Sequence, residues 1–236
     1  MLIKALQQAS IIEYPGRIAD IVFVGACNFR CPFCYNVDLV LRQEELPDLD
    51  PARVLHDLRE RRGFVDGVVV TGGEPTLQPD LSEFLSGVKR LNLAVKLDTN
   101  GSRPEVLQQC LDQRLVDYVA MDVKTGFSRY EHAAGLLVDV DRVKQSIALL
   151  LNGDVEYEFR TTVVPGLVEL GDVAAILETI SGARRYCLQA FRPGPTVGWG
   201  DTPPVGAPPT ELMRGMAAMA ARHVADVCIR GQGSHT

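Results

Sequence analysis

Short apolar runs rich in β-branched residues recur along this chain, and between them apolar positions return at helical spacing. The first run covers residues 18–24 and ends at Gly25. Others cover residues 67–71, 94–97, 118–121, 155–164 and 186–191. Apolar runs of this kind predict strands of a parallel sheet covered by helices. In residues 51–62, Val54, Leu55 and Leu58 recur at helical spacing and Asp50 stands where an N-cap belongs. Further helices are predicted over 81–91, from Pro104 to about 113, and over 139–151. Gly171 and Asp172 are expected to cap one that reaches about residue 180. The Pro/Gly-rich stretch 192–209 reads as a loop, because a helix (210–221) and an apolar run (224–229) follow it. No internal repeat or low-complexity tract interrupts the pattern.

Strands alternating with helices predict βαβ units and an α/β fold. A doubly wound open sheet and a (β/α) barrel both satisfy that alternation. The polar residues favour the barrel. Cys27 to Cys34, Gly72 to Glu74, Asp98 to Asn100 and Asp122 to Lys124 all fall just after strand ends, and barrels build their sites on that rim. The 236 residues suit one domain spanning 1–236. Its core is expected over about 16–193, with 194–236 adding a loop, a C-terminal helix and a candidate extra strand.

Composition narrows the setting. With 46% hydrophobic and 23% charged residues the chain has the balance of a soluble globule. A net charge of −6 gives no support for a nucleic-acid partner. No apolar run reaches the roughly 18 residues of a membrane helix, and the N-terminus lacks the apolar stretch of a signal peptide. A cytoplasmic location is therefore expected.

Cys27, Cys31 and Cys34 form C-x-x-x-C-x-x-C. Three thiolates this close can each hold one iron of a [4Fe–4S] cluster, for which a full ligand set is four Cys. The fourth iron would be left with an open position, the arrangement in which metals bind substrate or cofactor. Zinc is the competing reading, but zinc spacing usually comes as two separated pairs. Here no second C-x-x-C follows, and the next His is His56. Cys110, Cys187 and Cys228 are scattered in apolar contexts and read as core residues. A disulfide would call for an oxidising compartment, to which nothing in the sequence points.

The triad, with Phe33 just before its last Cys, resembles the radical S-adenosylmethionine (SAM) enzymes. The resemblance implies a partial (β/α)6 TIM-like barrel open at one side. It also implies a [4Fe–4S] cluster on Cys27, Cys31 and Cys34, whose unique iron is chelated by the amino and carboxylate groups of SAM. One electron then splits the C5′–S bond into methionine and a 5′-deoxyadenosyl radical. Gly72, Gly73, Glu74 and Pro75 are similar to the segment that holds SAM's amino group. Glycine permits close backbone approach, and Glu74 offers a carboxylate acceptor. Phe33 and Tyr35 flank Cys34, where residues of this family lie beside the adenine.

Asp98, Thr99 and Asn100, with Asp122 and Lys124, resemble segments of the glycyl-radical-enzyme activating enzymes, the group that includes the pyruvate formate-lyase activator. There such residues surround SAM's carboxylate and, in some members, a monovalent cation. The Lys124 ammonium suits a carboxylate, and oxygens of Asp98, Thr99 and Asp122 suit a hard cation. Taken separately, each Asp reads first as a strand-end helix cap and Lys124 as a solvated side chain, and it is the Cys triad that turns the reading to SAM. Arg160, in R-T-T-V-V-P-G, either forks onto SAM's carboxylate or is a salt-bridged barrel residue. Where a His touches SAM in pyruvate formate-lyase activators this chain has none, so Gln189 or Arg192 replaces that contact or it is lost.

The opening Ser10-Ile11-Ile12-Glu13-Tyr14-Pro15-Gly16-Arg17 resembles that of anaerobic ribonucleoside-triphosphate reductase activating proteins, with Glu13 where Asp is more usual. The resemblance covers about residues 8–193. It implies a protein substrate, a glycyl radical enzyme, whose glycine loses a hydrogen to the 5′-deoxyadenosyl radical. No Cys-rich insert lies between Cys34 and Gly72, so electrons are expected from flavodoxin or ferredoxin. Activation of another glycyl radical enzyme (pyruvate formate-lyase-like) stays open. So does small-molecule chemistry like that of the 7-carboxy-7-deazaguanine synthases, and so does simple electron carriage.

Overall fold

The computed structural model describes residues 1–201 and 203–231. Eight strands form one sheet in chain order: β1 (Ile3–Ser10), β2 (Ala19–Val24), β3 (Gly67–Gly72), β4 (Ala94–Thr99), β5 (Tyr118–Asp122), β6 (Glu156–Val163), β7 (Arg185–Ala190) and β8 (Asp226–Arg230). β1 pairs antiparallel with β2, and every later pair is parallel. The six strands expected from the sequence are β2 to β7. β8 arises from the apolar run at 224–229 and joins the sheet rather than packing outside it. β1 was not expected. Half of its residues are exposed, so it lacks the apolar run that marks the others.

Eight helices lie among the described residues: α1 (Val37–Leu41), α2 (Pro51–Arg61), α3 (Leu81–Arg90), α4 (Pro104–Asp112), α5 (Tyr130–Ala134), α6 (Val140–Asn152), α7 (Leu170–Thr179) and α8 (Thr210–Ala220). α1 and α5 were not foreseen, because five residues are too few to show a helical period. Asp50 caps α2 as expected, accepting from the Ala52 N–H at 3.0 Å. Asp139 caps α6 in the same way through Asp141. The expected cap of α7 is corrected. Its N-cap is Glu169, and Asp172 stands at the third helical position, accepting from the Glu169 N–H at 2.9 Å.

Successive strand residues point to opposite faces, and the two faces differ. Val22, Val68, Val95, Leu97, Val119, Met121, Phe159 and Leu188 belong to the main core with the helices. On the other face, Tyr14, Ala19, Ile21, Val69, Tyr118 and Ala120 form a separate apolar plug. Beyond that plug, towards the C-terminal strand ends, the same face carries Thr71, Asp98, Asp122 and Arg160. The Tyr14 and Tyr118 rings meet at 5.9 Å, so the turn leading into β2 reaches β5 and the sheet must curl. Among the described residues it runs from β1 to β8 without pairing its two ends. The result is the expected partial barrel, extended by one strand at each side.

One cysteine reading is corrected. Cys187 and Cys228 face each other in the β7–β8 register and are joined by a disulfide. They are 41 residues apart, and only the entry of β8 into the sheet brings them together. Cys110 is buried and free in α4, as expected. No helix among the described residues is long and apolar enough to cross a membrane.

Candidate functional site

The loop after β2 is held by backbone from several directions. Ala26 adopts a left-handed conformation at φ 67°, uncommon for a residue with a Cβ, and turns the chain into the Cys segment. Its N–H donates to Leu39 in α1 at 3.1 Å, and Arg30 donates to Ala134 in α5 at 2.8 Å. Val197 and Gly198, from the stretch after β7, donate to the carbonyls of Cys34 and Pro32, each at 3.0 Å. Cys27, Cys31 and Cys34 then line one cavity with Phe29, Phe33 and Gly73.

Burial pushes the Cys27 thiol up to about 12, with the Glu74 carboxylate adding to the effect, and pushes Cys31 up to about 11. Cys34 is raised too, again by burial. Such thiols give up their protons when a metal takes their place. Among the described residues, no three His, Cys, Asp or Glu side chains are grouped to hold a single metal ion. Three thiols of one loop lining one cavity, with no His beside them, are a donor set that suits a [4Fe–4S] cluster, which takes thiolate ligands.

Gly72 and Gly73 close the turn after β3. Gly72 sits at φ 114°, where a Cβ would lie 2.6 Å from the Val24 carbonyl oxygen. A Cβ on Gly73 would overlap the Ala26 carbonyl. The segment hydrogen-bonds along the Cys loop, Gly73 to Val24 and Glu74 to Ala26, both at 2.8 Å. The glycines therefore admit the backbone of the Cys loop itself, a reason the sequence did not disclose. Glu74 is buried, and both its oxygens are engaged. Oε1 accepts from the Thr76 N–H at 3.0 Å, from the Thr76 hydroxyl, and from the Thr99 hydroxyl at 2.8 Å. Oε2 accepts from the Asn100 N–H at 2.7 Å. Burial raises this carboxyl above its usual range, against the pull of those donors. Asn100 also donates to the Asn28 side chain at 3.0 Å. One network thus joins the Cys loop, the Gly-Gly-Glu turn and the end of β4.

A second network is charged. Asp98 Oδ1 accepts from the Lys96 ammonium, while Oδ2 accepts from Thr71 Oγ1 and Arg160 Nη1, both at 3.1 Å. Arg160 Nε reaches Asp122 Oδ1 at 2.7 Å, and Lys124 Nζ reaches Asp122 Oδ2 at 3.0 Å. Burial alone would raise both carboxyls. Beside Asp98 the charges of Arg160 and Lys96, and beside Asp122 those of Arg160 and Lys124, outweigh it and hold them below the usual range. Burial likewise works against the Lys124 ammonium, and Asp122 more than compensates. Arg160 forms both of these salt bridges and also lines the cavity. Each oxygen of Asp98 and Asp122, which the resemblance places near a monovalent cation, accepts at least one hydrogen bond from the chain. Thr99 Oγ1, besides donating to Glu74, accepts from the Gly101 N–H at 3.1 Å.

The structure brings Phe33, Tyr35, Gly72, Gly73, Glu74, Asp98, Thr99, Asn100, Asp122, Lys124 and Arg160 to the cavity of the Cys triad. Pro75 opens a buried helical turn behind it, and Gln189, opposite Thr162 in the β6–β7 register, stands outside the lining. Tyr35 is half exposed at the rim. Its ring stacks on Phe191, and its hydroxyl donates to the Arg192 carbonyl at 2.8 Å. Asn36, Thr71 and Thr162 line the cavity without having been singled out. Strand parity with Asp98 and Arg160 was the available signal for Thr71 and Thr162. Lys96, two residues before Asp98 in an apolar strand, carried the same signal.

The family model of the radical SAM superfamily matches residues 21–180. A candidate glycyl-radical enzyme activating enzyme of Methanocaldococcus jannaschii is 32% identical over 197 residues, 81% of this chain and 80% of its own. The 7-carboxy-7-deazaguanine synthase of Neisseria meningitidis is 29% identical over 141 residues, 59% of this chain and 57% of its own. Streptococcus suis SuiB bound to the precursor peptide SuiA has a similar fold, with a TM-score of 0.64 at 14% identity. That likeness covers 91% of this chain and 48% of SuiB.

Proposed function

The chain belongs to the radical SAM superfamily, and we propose that within it this enzyme generates a glycyl radical on a partner protein, an anaerobic ribonucleoside-triphosphate reductase. The observation that carries the reading is Lys124, held by Asp122, facing the cavity of the Cys triad. The likeness to the M. jannaschii protein, over four-fifths of both chains, supports it. So do the Tyr14-Pro15-Gly16 opening and the R-T-T-V-V-P-G segment at Arg160.

When bound, the cluster would supply one electron to SAM, whose C5′–S bond would break to give methionine and the group that takes a hydrogen atom from glycine and ends as 5′-deoxyadenosine. The chain's own residues hold and orient. Cys27, Cys31 and Cys34 would ligate three irons. Lys124, with one carboxylate partner, keeps donors free for SAM's carboxylate. Glu74 fixes Thr99 and Asn100, so the β4 end presents a set wall. Phe33 and Tyr35 offer apolar surface to the adenine, and Phe29 and Val40 help to exclude water from the cavity. The unclosed sheet leaves an approach for a glycine-bearing loop. Flavodoxin or ferredoxin would deliver the electron from outside.

The test is electron paramagnetic resonance on anaerobically reconstituted, reduced protein mixed with SAM and the host's anaerobic reductase. A glycyl doublet on the reductase, with 5′-deoxyadenosine formed in step, is expected. A SAM-responsive cluster signal without any glycyl radical would overturn the partner assignment. It would favour a second reading, small-molecule turnover, for which the likeness to the Neisseria synthase speaks.

A further inference from the structure

We propose that Cys187 and Cys228 are a second redox site of this chain, a pair that opens and closes by exchange with a dithiol and is not a permanent staple. It stands whichever partner the enzyme activates.

The two cysteines lie opposite each other in the β7–β8 register and are joined although 41 residues apart. They face the concave side of the sheet, because Cys187 is also the register partner of Arg160. Neither lines the cavity of the Cys triad. A permanent disulfide belongs to oxidising surroundings. Yet the same chain carries Cys27, Cys31 and Cys34 as free thiols in one loop. Surroundings that leave those three unpaired also reduce a disulfide that a thiolate can reach. Cys187 is fully buried, but Cys228 is only half-buried. It stands on β8, which has a neighbouring strand on one side only among the described residues. An incoming thiolate therefore meets Cys228 first.

The wall beside the sulfurs suits a thiol. Glu158 on β6 is fully buried, and its Oε2 lies 3.4 Å from Cys187 Sγ. A disulfide sulfur has no proton to offer that carboxylate, whereas a thiol has one. Arg230 forks onto both oxygens of Glu158, at 2.9 and 2.8 Å. A carboxylate has about four acceptor sites, so room for an S–H is left. Arg185 lies farther off, 3.9 Å from Glu158 and 3.1 Å from Asp226. Glu158 thus favours the dithiol form. The Arg230 fork also ties β8 across β7 to β6. With the S–S bond open, β8 keeps its register and the sulfurs stay opposite each other, ready to close again.

Exchange takes two steps. A thiolate of the dithiol attacks Cys228 Sγ, the Cys187–Cys228 bond breaks, and Cys187 leaves as a thiolate. It takes a proton from water and hydrogen-bonds to Glu158. The second thiolate of the reductant then attacks the reductant's own sulfur in the mixed disulfide and releases Cys228, which is protonated in turn. Two electrons and two protons pass to the pair, and the dithiol departs as a disulfide.

The experiment equilibrates the reconstituted holoenzyme anaerobically with graded ratios of reduced to oxidised dithiothreitol, approached from both directions. Acid quenching, alkylation and peptide mass spectrometry then follow Cys187 and Cys228. The two are expected to move together in one reversible transition, from a tenth to nine-tenths reduced over about a hundredfold change in the ratio. A pair reduced only after the chain is unfolded would be a permanent staple and would overturn the proposal. A pair that stays open even in oxidised glutathione would overturn it as well. Glu158→Gln tests the neighbouring carboxylate. Half-reduction is then expected to need about a fivefold higher ratio, since a neutral acceptor holds the thiol less well. An unchanged midpoint would overturn the role of Glu158. Should that variant not fold, the wild-type titration still decides whether the pair exchanges. Neither result bears on the proposed function, whose test reads a glycyl radical.

Discussion

Gly198 donates its backbone N–H to the Pro32 carbonyl at 3.0 Å, so the stretch after β7 lies directly against the Cys loop. A Cβ at Gly198 would lie 2.6 Å from Pro32 Cα. Gly198→Ala must push the two segments apart, at a cost of about 1–3 kcal/mol by analogy with overpacked cores. The expected result is a lower iron content per chain after anaerobic reconstitution. Parental iron content would show that this stretch does not help to hold the loop.

Alanine at Cys27, Cys31 or Cys34 should abolish both the cluster's visible absorption and SAM cleavage. Serine at Cys187 and Cys228 together should leave iron content unchanged, because that pair lies in β7 and β8 and is absent from the cavity lining. Iron and acid-labile sulfide assays on the variants check both statements. A triad variant that still cleaved SAM would sink the ligand assignment.

Glu74→Gln keeps the side chain's shape but replaces one acceptor oxygen by a donor. That donor must then face either the Asn100 N–H or the donors of Thr76 and Thr99. An unmet buried group of this kind costs about 1–3 kcal/mol, a fall of roughly 2–12 °C in melting temperature for a chain of this size. SAM affinity should weaken with it, since the network sets the end of β4. Thermal denaturation and dialysis on the same preparation test the pair of expectations. A variant as stable as its parent would show that the network is not load-sharing.

Asp122 is held below the ordinary carboxylate range in the folded chain, so it binds fewer protons there than when unfolded. Its contribution to stability is therefore present above the unfolded value of about 3.9 and is lost as pH falls through the folded value. Asp122→Asn should be less stable than its parent at neutral pH, because Arg160 and Lys124 lose a charge partner. Its stability should also fall less steeply with pH below about 5. Urea titrations across that range make the comparison, and parallel pH profiles would refute it.

The partial barrel and Arg160 entered through the family resemblance, whereas the chain's local pattern was enough to mark six strands, most of the helices, the Cys triad and the polar strand ends at Gly72, Asp98 and Asp122. Each rests on a pattern of short range: the apolar run of a strand, the repeat of a helix, the spacing of C-x-x-x-C-x-x-C. β1 stayed hidden because an edge strand shows solvent much of its surface. The Cys187–Cys228 pairing, the docking of Gly198 on Pro32, the Glu74 network and the enclosure of Lys96 were decided only by the tertiary structure. All of them join residues whose meeting depends on strand register and on the curl of the sheet. Register places Cys187 opposite Cys228. The curl turns one face inward, where burial makes a lysine keep a carboxylate beside it. Sequence spacing specifies neither, because both are set by how separate segments pack once they have formed.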